Sequence, residues 1–84
     1  MPRGSSLPPD ALTIAVAAVL AHEFTEQFMT QRQLAAITGI SATSVGQFLR
    51  GAKSPDLTQL GRLCNALGLD VANVVTVAAD QIGR

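Results

Sequence analysis

The 84-residue chain has few cysteine and aromatic residues, and each shortage narrows the possible folds. Cys64 is the only cysteine, so no disulfide can form within the chain. A reduced, cytoplasmic location is therefore the default expectation. Three phenylalanines are the only aromatic residues, whereas Ala, Val and Leu are abundant. This composition favours closely packed helices over a β-sandwich.

Long hydrophobic runs are also absent from the sequence. A membrane-spanning helix needs roughly 18 or more apolar residues. The apolar segment 11–21 is shorter, and it is bracketed by Asp10, His22 and Glu23. Only Arg3 precedes it as a positive charge, whereas a signal peptide would have several. We predict a buried helix here and no membrane partner.

Residues that carry catalytic or metal chemistry are sparse. His22 and Cys64 stand apart from other candidate groups. A zinc site needs several convergent ligands, and a catalytic nucleophile needs a base. No glycine-rich phosphate loop or paired-carboxylate pattern occurs either. We therefore expect no enzyme, no metal and no cofactor, and no small-molecule ligand is evident.

The charged residues are few and unevenly distributed. The formal net charge is zero. Segment 30–62 carries +3, whereas segments 1–29 and 63–84 carry −2 and −1. The charges of the positive segment are Arg32, Arg50, Lys53 and Arg62 against Asp56. A basic segment of this kind can steer an anionic partner such as DNA even in a neutral protein.

Helical spacing predicts an all-α fold of five helices over residues 10–84, preceded by a flexible arm over residues 1–9. Asp10 is the predicted N-cap of helix 1, which should end near Phe28 or Met29. Its apolar stripe is formed by Leu12, Val16, Val19, Leu20, Phe24 and Phe28. Helix 2 begins with a capping box of Thr30 and Gln33 and stops at Gly39. Its predicted inward residues are Leu34, Ala35 and Ile37.

The remaining helices follow the same signals. Ser41 is the predicted N-cap of helix 3, which ends at Gly51 and buries Val45, Phe48 and Leu49. Ser54 and Pro55 are predicted as the cap and first residue of helix 4. Its inner stripe is Leu57, Leu60, Leu63, Cys64 and Leu67, and Gly68 closes it. Asp70 caps helix 5, with Val71, Val74, Val75 and Ala78 on one side and Val77 widening its apolar surface.

The spacing of helices 2 and 3 suits a helix-turn-helix. The chain resembles the Cro/repressor-type, XRE-like helix-turn-helix family over about residues 12–78. The matching positions are Thr30, Gln31, Leu34, Ala35, Gly39, Ile40, Ser41, Val45, Gly51, Pro55, Leu60 and 66–68. Segment 44–51 is particularly similar to the recognition helix of lambda-type phage repressors. Much of the family carries Glu at the position of Leu49, so we expect a hydrophobic contact with Phe24 instead of an ion pair.

The resemblance implies a lambda-repressor-like domain in which helix 3 enters the DNA major groove. Gln47 would then form hydrogen bonds with adenine, and Thr43 and Ser44 would donate or accept hydrogen bonds at base edges. The methyls of Ala42 and Thr43 would meet thymine methyl groups. Gln31 would hold a phosphate at the start of helix 2. The expected DNA-binding residues are Gln31, Ser41, Ala42, Thr43, Ser44, Gln47, Arg50 and Lys53.

Several residues keep two interpretations. Gly46 inside the reading helix either permits close approach to DNA or avoids crowding against helix 2. Arg32 and Arg62 are as consistent with solvated surface as with DNA contact, and Arg3 on the arm is only a weak candidate. Val71, Val74, Val75 and Ala78 form either a homodimer contact or part of the intramolecular core.

The leading hypothesis is a sequence-specific regulator that binds a double-stranded DNA operator, namely a phage-type immunity repressor or its DNA-binding domain. An antitoxin-like autoregulator would have much the same sequence. The alternative from a different functional class is a helical protein-interaction module that has lost DNA binding. Its support is the net charge of zero and the short side chain of Ala42, at a position where a longer polar side chain would be expected to contact DNA.

Overall fold

The computed structural model describes residues 9–83, so residues 1–8 of the predicted arm, including Arg3, lie outside the described part. Its helices are Pro9–Glu26 (α1), Gln31–Thr38 (α2), Ala42–Leu49 (α3), Leu57–Ala66 (α4) and Val71–Ile82 (α5). No strand occurs within residues 9–83. The all-α prediction of five helices is therefore confirmed. α1 packs along α5, α2 contacts both α3 and α4, α3 contacts α1, and α4 contacts α5.

All five helices contribute side chains to one core. Its largest fully buried members include Leu20, Leu34, Phe48, Leu63 and Val74, and Val45 and Cys64 are enclosed as well. Burial, with a smaller contribution from the charge of Asp70, raises the pKa of the Cys64 thiol. Because the protonated thiol is the apolar form, Cys64 acts as a small core residue.

Side-chain caps begin three helices as predicted. Thr30 Oγ1 accepts from the Gln33 N–H at 3.0 Å, and Gln33 Oε1 accepts from the Thr30 N–H at 2.8 Å. Ser41 caps α3 by accepting from the Ser44 N–H at 3.1 Å. Asp70 caps α5 in the same way, at 2.9 Å from the Asn73 nitrogen. These bonds satisfy backbone donors that have no partner inside the helix.

Two predicted helix starts are wrong. α1 already includes Pro9, where the described residues begin, so Asp10 lies inside the helix and is not its N-cap. α4 begins after Asp56, whose carboxylate accepts from the Gln59 N–H at 2.7 Å in a complete capping box. Ser54 and Pro55 therefore precede the helix, and Leu57, predicted to face inward, is 84% exposed.

The end of α1 also differs from the prediction. The helix stops at Glu26, and Phe28 takes a left-handed φ of +54°. The Met29 N–H then donates to the Phe24 carbonyl at 3.3 Å, which closes the helix as a Schellman motif does. Phe28 consequently points away from the core and is 92% exposed. The Gln27 side chain fixes this end by donating to the Leu67 carbonyl at 2.7 Å.

The buried face of α2 is rotated from the predicted one. Leu34 and Thr38 are buried, whereas Ile37 is 60% exposed and Ala35 is half-buried. Thr38 can be buried because its hydroxyl donates to the Leu34 carbonyl at 2.8 Å and accepts from the Ile40 N–H at 3.2 Å. A satisfied hydroxyl avoids the cost of desolvating an unpaired polar group.

The predicted dimer surface on helix 5 needs a similar correction. Val74 and Ala78 are at most 1% exposed within a single copy of the chain, so neither can contact a second copy. They complete the intramolecular core, which was the alternative interpretation. Val71 and Val75 are half-buried at its edge.

Candidate nucleic-acid interface

The turn between α2 and α3 is held by backbone and side-chain hydrogen bonds. Gly39 adopts a φ of +77°, which costs glycine little, and its N–H donates to the Ala35 carbonyl at 2.8 Å. Ile40 follows and is buried. Ser41 then caps α3, so three consecutive residues end one helix, anchor the chain and begin the next. This arrangement fixes the direction of α3 relative to α2.

α3 has one buried and one outward face. Val45 and Phe48 are at most 1% exposed, and Leu49 is half-buried against the same core. Ala42 and Thr43 are exposed in the first turn, and Ser44 and Gln47 are half-buried. The structure therefore places these four predicted base-reading residues outside the core, on a short helix that its buried side holds in place.

Gln31 and Arg50 converge over Gly46. A methyl group built on Gly46 would lie 2.8 Å from Gln31 Oε1 and 3.1 Å from Arg50 Nη1. The first residue of α2 and the residue that ends α3 thus bring polar groups together across the crossing of the two helices. Both side chains belong to exposed residues. The absent side chain of Gly46 leaves room for this pair, which supports the crowding interpretation.

The other basic residues separate into two groups. Lys53 is exposed in the loop after α3, in the same part of the chain as Arg50. Arg62 instead extends from α4 toward the turn, with Nη1 3.9 Å from a methyl group built on Gly39. A cation near the C-terminal end of α2 interacts favourably with the helix dipole, and sequence spacing did not reveal this placement of Arg62.

Metal-binding clusters and single membrane-spanning helices are both absent from residues 9–83. Within 9–83, no three His, Cys, Asp or Glu side chains are placed to hold a metal ion. No single helix in that range is long and apolar enough to span a membrane; α4 and α5 reach such length and apolarity only as a pair bent by 104°.

Comparison with known families identifies this arrangement. A helix-turn-helix family model matches residues 25–73, which include α2, the turn, α3 and α4. The chain belongs to the XRE-type helix-turn-helix family. It is accordingly a DNA-binding transcription regulator.

Solved structures of a bacterial regulator share the fold. One crystal structure of the clp gene regulator ClgR from Corynebacterium glutamicum is 31% identical, with a TM-score of 0.75, and the match covers 84% of this chain and 92% of that chain. A second crystal structure of ClgR is 30% identical, with a TM-score of 0.79 and coverages of 90% and 81%. No curated protein matches the sequence.

Replacing Gly46 by alanine should separate stability from DNA affinity in this helix-turn-helix protein. Alanine favours the helix by about 0.5–1 kcal/mol, so the free energy of unfolding should not fall. The new methyl group must displace the flexible end of Gln31. Because Gln31 is expected to hold a phosphate, the Kd for DNA should rise about tenfold, which corresponds to one weakened bond to a charged group. Urea denaturation and fluorescence anisotropy measure the two quantities.

Gly61→Ala is the matched control for this prediction. Gly61 also lies inside a helix, but a methyl group there meets no atom within 4 Å. This variant should gain stability and bind DNA as the wild type does. Equal DNA affinity for Gly46→Ala and Gly61→Ala would show that the position of Gln31 does not matter for binding.

Proposed function

We propose that this regulator represses transcription by occupying a specific double-stranded DNA operator with α3 in the major groove, where it excludes RNA polymerase. The outward face of α3 carries this proposal, because Ala42, Thr43 and Gln47 lie opposite a side anchored by Val45 and Phe48. The major groove of B-DNA admits an α-helix and displays a distinct pattern for each base pair. The name of ClgR, a clp gene regulator, supports a role in gene regulation.

The proposed base contacts come from the first two turns of α3. Gln47 has an amide that can bond adenine N6 and N7 together, and each such pair contributes about 1–3 kcal/mol of discrimination. Thr43 and Ser44 offer hydroxyl groups that donate or accept. The exposed methyls of Ala42 and Thr43 suit a thymine methyl group.

The proposed phosphate contacts surround this face. Gln31 and Arg50 can grip one phosphate together because their polar ends already converge over Gly46. Ser41 uses its oxygen as a cap, so its O–H can still donate to a phosphate. Lys53 contributes a cation from the loop after α3. Contacts of this kind position the protein and carry no sequence information directly.

Gln47→Ala should change which sequences the protein selects. Selection from a library of random duplexes should give the wild type a defined site. The variant should lose its preference at one base pair of that site by about 1–3 kcal/mol, with the preferences at other positions retained. Competition binding against single-base variants of the site measures this loss.

Lys53→Ala is the control, because loss of a phosphate contact should weaken binding to all sequences alike. An unchanged preference for Gln47→Ala would remove Gln47 from base reading. If the wild type selects no sequence at all, the protein-interaction alternative would replace this proposal. We further propose that the protein acts in the cytoplasm of a bacterium or of a phage-infected host cell, where the DNA is accessible. A role in phage immunity stays a prediction.

A further inference from the structure

The outward face of α3 carries few side chains that can identify a purine. In the major groove, Arg and Lys recognise guanine through O6 and N7, and Asn and Gln recognise adenine through N6 and N7. Within residues 41–49, Gln47 is the only residue of these four types. The guanidinium of Arg50, after the end of the helix, lies over Gly46 at the proposed phosphate contact. One side chain within α3 is therefore suited to reading a purine.

The first turn of α3 offers methyl and hydroxyl groups instead. Ala42 presents a methyl group, Thr43 presents a methyl and a hydroxyl, and both residues are exposed. Ser44 adds a second hydroxyl and is half-buried. A hydroxyl can donate to thymine O4 or accept from cytosine N4, so it does not separate these two pyrimidines. Asp and Glu, which identify cytosine by accepting from N4, are absent from residues 30–55. The methyl groups of this turn are therefore left to discriminate between the pyrimidines.

A methyl group on a reading helix contacts the C5 methyl group that a pyrimidine presents in the major groove. Thymine carries that methyl group, whereas unmodified cytosine has hydrogen at C5. Cytosine methylated at C5 carries the same group at the same place in the groove. We propose that the first turn of α3 binds a C5-methylated pyrimidine, either thymine or 5-methylcytosine, and discriminates against unmodified cytosine. This inference rests on the proposed function, because it requires α3 to lie in the major groove.

Methylation of DNA thereby regulates the protein at a defined position of its site. A site with cytosine opposite Ala42 or Thr43 becomes a stronger site once a methyl group has been transferred to cytosine C5. Burying one methyl group between the protein and the base corresponds to about a fourfold change in Kd. Such a difference is large enough to measure and small enough to alter occupancy without abolishing it.

Duplexes that differ by one methyl group test the proposal with the full chain. Each thymine of the selected site is replaced in turn by deoxyuridine, which lacks only the C5 methyl group. The same position is then filled by cytosine or 5-methylcytosine opposite guanine. At the thymine that meets the first turn of α3, fluorescence anisotropy should give a Kd about fourfold higher for deoxyuridine. 5-Methylcytosine should bind about fourfold more tightly than cytosine there.

Two variants locate the contact on α3. Thr43→Ser removes a methyl group and keeps the hydroxyl, and Ala42→Gly removes the other methyl group. One of them should bind the thymine and deoxyuridine duplexes equally; the readout is a ratio of Kd values, so a general loss of affinity does not affect it. Thr58→Ser is the matched control, because Thr58 is also exposed at the second position of its helix. This control should keep the fourfold ratio.

Equal Kd values for thymine and deoxyuridine at every position would overturn the proposal, as would equal Kd values for cytosine and 5-methylcytosine. A fourfold ratio that both α3 variants retain, or a selected site without thymine, also overturns it. These results leave the proposed function standing if the wild type selects a site and Gln47→Ala alters its preference. A wild type that selects no site contradicts the proposed function, and this proposal with it.

Discussion

Replacing Ala42 by glutamate is expected to weaken DNA binding at least about a hundredfold, or 2.7 kcal/mol, without weakening the fold. Ala42 is the exposed first residue of α3. A carboxylate there favours the helix, because acidic groups in a first turn complement the helix dipole. In the proposed complex the same carboxylate faces the phosphates and bases, where like charge costs several kcal/mol. Anisotropy titration with the selected duplex, alongside urea denaturation, measures both effects.

Ala72→Glu is the matched control, since Ala72 is exposed in the first turn of α5 and the change in net charge is identical. It should lower DNA affinity only slightly, through the altered overall charge. If Ala42→Glu and Ala72→Glu lose the same modest affinity, the beginning of α3 does not face DNA.

Replacing Phe48 by alanine should cost about 3–5 kcal/mol of unfolding free energy. Phe48 is 1% exposed in α3 and is among the largest fully buried side chains. Small domains have little stability to lose, so this variant should be mostly unfolded at physiological temperature. Thermal unfolding followed by far-UV circular dichroism measures the loss.

Phe28→Ala provides the comparison for Phe48→Ala, because it removes the same side chain at a residue 92% exposed. Its unfolding free energy should stay within about 0.5 kcal/mol of the wild type. A large loss for Phe28→Ala, or a small one for Phe48→Ala, would contradict the packing described here.

Helix starts were predictable from sequence wherever a capping residue had a clear partner three residues later. Thr30 with Gln33 shows this, and the same signal was present in Asp56 with Gln59. Ser54 is the predicted cap because proline follows it, but Leu57, three residues later, cannot complete a capping box. The α4 start was therefore recoverable from the sequence by a stricter test.

Helix ends were less predictable because one of them breaks the usual glycine rule. Gly39, Gly51 and Gly68 all take a left-handed φ, and Phe28 takes the same conformation. A phenylalanine that continues an i, i+4 stripe gives no sign of such a turn. The neighbouring Gln27 side chain donates to the Leu67 carbonyl at the far end of α4, and sequence spacing does not show this long-range contact.

The candidate DNA-binding residues were named from sequence, but their relations were not. Gln31 and Arg50 are 19 positions apart, and only the crossing of α2 and α3 brings them together over Gly46. The division of helix 5 between core and surface was also invisible, because Val74 and Val75 are chemically alike. α5 packs against α1 and α4, and this packing buries Val74 but not Val75.

The most direct test of α3 in the major groove is methylation interference on the selected duplex. Dimethyl sulfate methylates guanine N7 in the major groove and adenine N3 in the minor groove. If α3 fills the major groove, the bound fraction should lack duplexes methylated at guanine N7 where α3 lies, because the added methyl group occupies the space of the helix, while adenine N3 methylation is tolerated there. Exclusion of adenine N3 methylation alone, or binding indifferent to both, would contradict this placement of α3.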